Sequence, residues 1–428
     1  MRRRLLPLPL LVVVVLVGPV SAEGEAAPTG KALRALVERY LAANYTKRVR
    51  IRQEVDGAYA PIPARSVQKY RKEMLKYAFK TPPKIEPKGK NHFYEKPEGW
   101  QGEAPGKYLA SGKPGKVLFL GLHGGGVDSG NANSAPGGGG GWWWIKPEVL
   151  HKTERGWTSP PMDGLPGTER FVVDLIDAAK RTGKVDPDRI YMIGHSMGGF
   201  GTWHIGAHHA DVFAGLGAFA GAPIPYWDNL TDKNVTGIEE GVLPNLFNLR
   251  IHVYQSLDDP NVPPAENQVA VRFLKELKAQ FPDGFDFRYH EGDGQGHGAP
   301  PGGYMKVCKW LTEKKREPRP AAFLWQPFLH WKRQMYWVYW DRPEEKSLIE
   351  VRAPGENVCE ITVHEGAEDL TGLSVLLGEP LFDLGEEVVV KVNGEERARG
   401  KVEHTLSTLL MTLPRFDDRL LFDARIDL

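Results

Sequence analysis

A serine hydroxyl becomes a nucleophile when a neighbouring base takes its proton and a carboxylate holds that base in the right tautomer. Gly194-His195-Ser196-Met197-Gly198 presents a serine in the setting this chemistry needs. In a Gly-x-Ser-x-Gly pentapeptide a strand turns sharply into a helix, and the small flanking residues let the strained turn fit among its neighbours. The helix N-terminus directs backbone N–H groups at developing negative charge. With 48 glycines in the chain the pentapeptide is weak evidence when taken alone. Partners follow it in the order serine, acid, histidine. Asp258-Asp259-Pro260-Asn261-Val262 supplies a carboxylate and Gly294-Gln295-Gly296-His297-Gly298 a base. His297 is preferred to His290 because it lies in a glycine-rich loop, whereas His290 belongs to the strand before it.

Acyl transfer also needs two convergent N–H donors for the oxyanion. One is assigned to Met197. The other is assigned to Gly124 or Gly125 in His123-Gly124-Gly125-Gly126, where backbone without side chains can approach a substrate closely. His123 is read as a residue that positions this loop. His204 and His208 have the spacing of a metal pair on a helix, but no Glu lies between them as in His-Glu-x-x-His, so they are read as polar helix positions. No metal is expected on these two residues.

These residues need a scaffold of short buried strands alternating with helices, and residues 111–318 read that way. Strands are expected at Lys116–Leu120, Trp143–Lys146, Arg189–Ile193, Leu216–Ala220, Arg250–Tyr254 and Asp286–Tyr289. Helices are expected from Thr168, from Met197 to His209, and across Val269–Phe281. The candidate serine thus follows a strand and opens a helix, and the candidate acid and base follow two later strands. Ahead of this region, residues 23–110 read as a helical extension, with apolar spacing at 31–45 and 66–79, and a hairpin leading into the sheet. Beyond the charged, proline-containing Arg316–Pro320, residues 321–428 read as a small β-rich domain. Its strands are expected at Gln334–Trp340, Leu348–Arg352, Val358–His364, Glu387–Val392 and Leu420–Ile426, with a tight turn at Asn393-Gly394 and a helix at Leu406–Leu413.

The chain begins Met1-Arg2-Arg3-Arg4, continues with an apolar run from Leu5 to Val17, and reaches small residues at Val20-Ser21-Ala22. That is the pattern of a secretory signal peptide over residues 1–22, with a secreted or periplasmic product and no stable membrane span after cleavage. Lys plus Arg number 55 and Asp plus Glu 54, a balance that gives no reason to expect nucleic acid as partner. Cys308 and Cys359 are the only cysteines, compatible with one disulfide or with two buried thiols.

Pro147-Glu148-Val149-Leu150, Gly156-Trp157, Val185-Asp186-Pro187-Asp188-Arg189 and the run Gly194–Trp203 resemble bacterial secreted α/β-hydrolases. The group is the one related to polyhydroxyalkanoate depolymerases, feruloyl esterases and prolyl-oligopeptidase-like peptidases. The resemblance covers about residues 115–315. It implies a mostly parallel eight-stranded sheet with helices on both faces and a triad of Ser196, Asp259 and His297, with Asp259 preferred to Asp258 because the acid commonly sits in Asp-Pro-x-Val. It implies no metal or organic cofactor, and a small-molecule or polymer ester as substrate. A serine peptidase is the nearest alternative, although the 90-odd residues ahead of the sheet are too few for a gating propeller. A non-catalytic binding protein is the second alternative. The insertion Val127–Trp144 departs from the family pattern and reads equally as a lid, a substrate wall or a surface excursion. Trp325, Trp331, Tyr336, Trp337, Tyr339 and Trp340 could contact carbohydrate if exposed, but packing of the C-terminal domain is favoured.

Overall fold

A computed structural model describes residues 15–16, 24–125, 130–227, 235–366 and 370–428. The expected signal peptide, apart from Val15 and Leu16, lies outside the described residues, as do Gly126 and the first three residues of the insertion.

Eight strands make the central sheet. Gly89–His92 (β1) and Lys107–Ser111 (β2) are followed by Leu118–Leu122 (β3), Trp143–Pro147 (β4), Ile190–His195 (β5), Gly215–Phe219 (β6), Arg250–Ser256 (β7) and Asp286–Gly292 (β8). Their spatial order is β1-β2-β4-β3-β5-β6-β7-β8. β2 runs antiparallel to β1 and β4, and every later pairing is parallel. The reason lies in the side chains: β3, β4 and β6 are buried at every position, the mark of parallel strands covered on both faces.

Eight helices accompany the sheet among the described residues. Gly30–Ala42 (α1), Tyr45–Ala58 (α2) and Ala64–Ala78 (α3) precede it, and Thr168–Thr182 (α4), Met197–His208 (α5), Pro264–Gln280 (α6) and Gly303–Leu311 (α7) flank it. Leu406–Thr412 (α8) lies near the C-terminus. The sequence reading passed over α2, which buries only Ile51 and Val55 and so lacks a continuous apolar stripe.

The C-terminal region forms two further sheets. Its strands are Ala322–Trp325 (β9), Gln334–Met335 (β10), Val338–Trp340 (β11), Leu348–Gly355 (β12), Val358–Glu365 (β13), Leu373–Leu377 (β14), Val388–Val392 (β15), Glu395–Gly400 (β16) and Ala424–Asp427 (β17). One sheet is ordered β16-β15-β13-β12-β9, with Val15–Leu16 beside β16, and the other β10-β11-β14-β17. Three expectations change. Gln334–Trp340 is two short strands folded back at Tyr336, whose φ is 48°. The last strand starts at Ala424 rather than Leu420, and β9, β14 and β16 were not anticipated. The turn at Asn393-Gly394 is as expected, with φ 49° and 83°.

One apolar cluster runs without interruption from β3, β5 and β7 into Phe323, Trp337, Val351 and Leu376, so the change of sequence texture near residue 318 does not mark a gap in the core. Trp325, Tyr336, Trp337, Tyr339 and Trp340 are buried, so these rings are not available to stack on a sugar. A second cluster joins Leu33, Val37, Val67 and Met74 of the N-terminal helices to Leu406, Leu409 and Phe416. Cys308 and Cys359 are free, buried thiols.

Candidate active site

Parallel pairing of β3 with β5 sets Leu122 beside Gly194, so the chain leaves both strands at one place on the sheet edge. His123-Gly124-Gly125 emerges from the first and His195-Ser196 from the second. Strand order reverses here, since β4 lies on the outer side of β3, and such a switch point is where open α/β sheets bind ligands.

Ser196 sits between β5 and α5 with φ 59° and ψ −126°, a conformation an L-residue adopts only when its surroundings hold it there. The holding groups are visible. Ser196 N donates to Phe219 O at 2.9 Å, and Phe200 N donates to Ser196 O at 3.1 Å. A Cβ on Gly194 would lie 1.9 Å from Gly198 O, and one on Gly198 would lie 2.1 Å from Leu122 O. The turn therefore excludes side chains at both flanks of the pentapeptide.

The loop after β7 carries Asp259, which is buried, and the loop after β8 carries His297. His297 Nδ1 lies 3.0 and 2.9 Å from the two Asp259 carboxylate oxygens. Asp259 Oδ1 also accepts from Asn261 N at 2.9 Å and Val262 N at 3.0 Å. Burial alone would raise the Asp259 pKa, but the hydrogen bonds from His297 and the two backbone N–H groups outweigh it and hold the carboxyl below its usual range. Asp258 has other work: its Oδ1 accepts from Ser256 Oγ and from Gly296 N at 3.0 Å, which ties down the loop bearing His297. The His297 ring lies 4.8 Å from that of His195, the residue before Ser196, and His195 Nε2 lies 3.2 Å from Gly298 O. No hydrogen bond joins Ser196 Oγ to His297 among the described residues. Such bonds are often long before substrate binds.

The glycine loop lies against the serine. A Cβ on Gly124 would come 2.8 Å from Ser196 Cβ and 2.8 Å from His195 O. His123 is buried and holds the loop from inside. Its Nε2 accepts from Val149 N at 3.2 Å, which leaves Nδ1 as the donor to Gly124 O at 2.9 Å. Burial lowers its pKa, so the neutral ring that this tautomer requires is the favoured form.

Further contributors were not identified from sequence. Gln255 Nε2 donates to Asp259 Oδ2 at 3.2 Å, and Trp157 Nε1 donates to His123 O at 3.2 Å. Gly130 lies directly over Gly124 O and the His123 ring, so the insertion braces the glycine loop. Further along it, Trp142 and Trp144 stack on Phe119 at 4.8 and 4.6 Å, which returns the insertion to the sheet. His204 and His208 are not simple polar helix positions: both are buried, and they pair separately with Glu239 at 3.1 Å and Glu169 at 2.9 Å. Trp157 was the one with a sequence signal, since it belongs to the Gly156-Trp157 motif.

The strand order, the antiparallel second strand, and a serine, an acid and a histidine on the loops after β5, β7 and β8 together decide the fold. The protein is an α/β-hydrolase in fold.

No family model matches the chain. A stretch of 117 residues is 32% identical to NocK of Nocardia uniformis subsp. tsuyamanensis, a protein assigned as an esterase, and covers 25% of this chain and 33% of that one. The chain thus spans about a third of the length of this curated relative. Among solved structures, MGS-M1, an α/β hydrolase from a Medee basin deep-sea metagenome library, overlaps 53% of this chain and 98% of its own at 12% identity and TM-score 0.36. The phospholipase/carboxylesterase of Dyadobacter fermentans DSM 18053 overlaps 48% of this chain and 95% of its own at 16% identity and TM-score 0.32. The poly(3-hydroxybutyrate) depolymerase LpqC of Bordetella parapertussis overlaps 45% and 78% at 14% identity and TM-score 0.31. The fold assignment rests on the strand order and the placement of the three loops.

Proposed function

We propose that this α/β-hydrolase is a serine hydrolase that cleaves carboxylic esters. The observation that carries the reading is His297 Nδ1 held on the buried Asp259 carboxylate, with the imidazole beside the strained Ser196 turn. His297 Nε2 takes the Ser196 proton as Oγ attacks the ester carbonyl. The oxyanion accepts hydrogen bonds from Met197 N–H and from Gly124 or Gly125 N–H, and Asp259 stabilises the imidazolium. Collapse expels the alcohol, which receives the proton from His297 and leaves an acyl-Ser196 ester. His297 then deprotonates a water that attacks this ester, and the proton returns to Ser196 Oγ as the acid departs. The assignment of NocK as an esterase supports an ester over a peptide bond. Met1–Ala22 supports export of the chain with cleavage before Glu23. Among the described residues no helix is long and apolar enough to cross a membrane.

Labelling with a fluorophosphonate tests the nucleophile. The wild type is expected to label stoichiometrically and Ser196→Ala not at all, with ester hydrolysis falling on the order of 10⁴-fold or more. Persistent labelling of the variant would remove Ser196 from this role. Aryl esters turned over faster than matched peptide amides are expected, and the reverse preference would make the protein a peptidase.

A further inference from the structure

Away from Ser196, a cavity of about 330 Å³ opens where α1, α2 and α4 meet residues 331–334 and Arg415. Its wall carries Arg48 and Arg52 from α2, Arg170 from α4, and Lys332, Arg333 and Arg415. On α2, Tyr45, Arg48 and Arg52 share one face, because residues three and four apart are neighbours on a helix.

The carboxylates nearby do not balance these cations. Asp211 serves both Lys332, at 2.5 Å, and Arg415, at 2.8 Å. Asp341 lies 3.5 Å from Arg52, Asp174 lies 2.8 Å from Arg170, and Asp177 is engaged by Lys180 at 3.1 Å. Arg48 and Arg333 have no carboxylate partner among the described residues. Arg48 donates to the carbonyls of Tyr40 and Leu41 at 3.0 and 2.8 Å. Arg333 donates to Asp341 O at 2.8 Å and lies 3.5 Å over the Tyr45 ring. The buried Arg415 Nε and His209 Nδ1 have no hydrogen-bond partner. Leaving guanidinium charge uncompensated in a recess is costly, and an oxyanion answers it because the planar fork of arginine matches its geometry. The volume falls within the roughly 300–1,000 Å³ of small-molecule sites, and Tyr45 and Trp331 add aromatic wall beside the charges.

We propose that this cavity binds a small organic oxyanion, a phosphate or sulfate monoester, through Arg48, Arg52, Arg170 and Arg333. The site lies apart from the serine loop and does not depend on the hydrolytic reading.

Calorimetric titration of the full chain with inorganic phosphate, sodium sulfate and phenyl phosphate, against sodium chloride at equal ionic strength, tests it. Saturable binding of one equivalent is expected for the oxyanions and none for chloride, with phenyl phosphate severalfold tighter than inorganic phosphate. Tighter phosphate than sulfate assigns a phosphate ester, and the opposite order a sulfate ester. Arg170→Gln alters a side chain that is 47% exposed, with folding checked by circular dichroism, and it should weaken binding at least tenfold. Arg333→Gln should do the same and Arg333→Lys should recover part of the affinity. Equal behaviour of chloride and phosphate, or unchanged affinity in both glutamine variants, would overturn the proposal. Phenyl phosphate no tighter than inorganic phosphate would overturn the organic part of it.

Discussion

At the scale of single residues, Asp259 is the position where geometry is most demanding. Its carboxylate meets His297, two backbone N–H groups and the Gln255 amide at once, all of them donors. An asparagine there must turn an NH₂ towards one of them. In Asp259→Asn the His297 ring is expected to adopt the other tautomer, and kcat for ester hydrolysis should fall by ~10³–10⁴-fold with KM little changed. A loss below tenfold would mean that Asp259 does not orient the base. Because its pKa is held low, the carboxylate stays ionised throughout the neutral range, so Asp259 adds no step to the rate profile there. Gly124 is constrained differently. Gly124→Ala would press a methyl against Ser196 Cβ and His195 O, each 2.8 Å from the built Cβ. The variant should remain folded by circular dichroism and lose at least tenfold in kcat, and full activity would show that the loop can yield.

At the scale of elements, what was legible in the sequence follows from how local its cause is. β3 and β5 declare themselves as buried apolar runs, and Ser196 is recognisable because a strand, a tight turn and a helix are consecutive. His297 was found from its own loop, whereas Asp259 was separated from Asp258 only by a family pattern. Gln255 and Gly130 act through contacts with residues brought near by folding, and no spacing announces them. α2 was missed for the same reason: its two buried residues gain their apolar surroundings from α1 and α8, not from their own helix. Arg316 is a further case. It opens the charged, proline-containing stretch that reads as a domain boundary, yet its buried guanidinium bonds Asp188 Oδ1 and Asp417 Oδ2, both at 2.7 Å, and Asp211 O at 2.6 Å. It therefore fastens the turn before β5 to the segment after α8. Arg316→Met would leave two carboxylates without their shared cation, and breaking such a buried network costs about 3–5 kcal/mol. Chemical denaturation should show that loss, and a change under 1 kcal/mol would mean that Arg419, which is 2.8 Å from Asp188, suffices alone.

At the scale of the whole molecule, the helices before the sheet and the chain after it form one apolar unit, with Tyr40 and Met74 buried alongside Leu406, Leu410 and Leu421. Its polar clasp is Asp423, which receives Arg71 of α3 at 2.8 Å and lies 2.6 Å from His404 Nδ1. Burial alone would raise the Asp423 pKa, but the His404 hydrogen bond and the Arg71 charge outweigh it and hold the carboxyl low. A carboxylate whose folded pKa lies below its unfolded value of about 3.9 stabilises the fold above that value and loses its contribution as pH falls through the folded one. Asp423→Asn should therefore lower stability at pH 7 by about 1.5–3 kcal/mol, the worth of a hydrogen bond to a charged group. The deficit relative to wild type should shrink as pH falls below 4, because acid then removes from the wild type what the substitution has already removed. Denaturant midpoints measured for both proteins from pH 7 to pH 3 would show the two curves converging. Parallel curves would mean that Asp423 is not the group whose protonation loosens the N-terminal helices, and would direct attention to Asp417, another buried carboxyl held below its usual range.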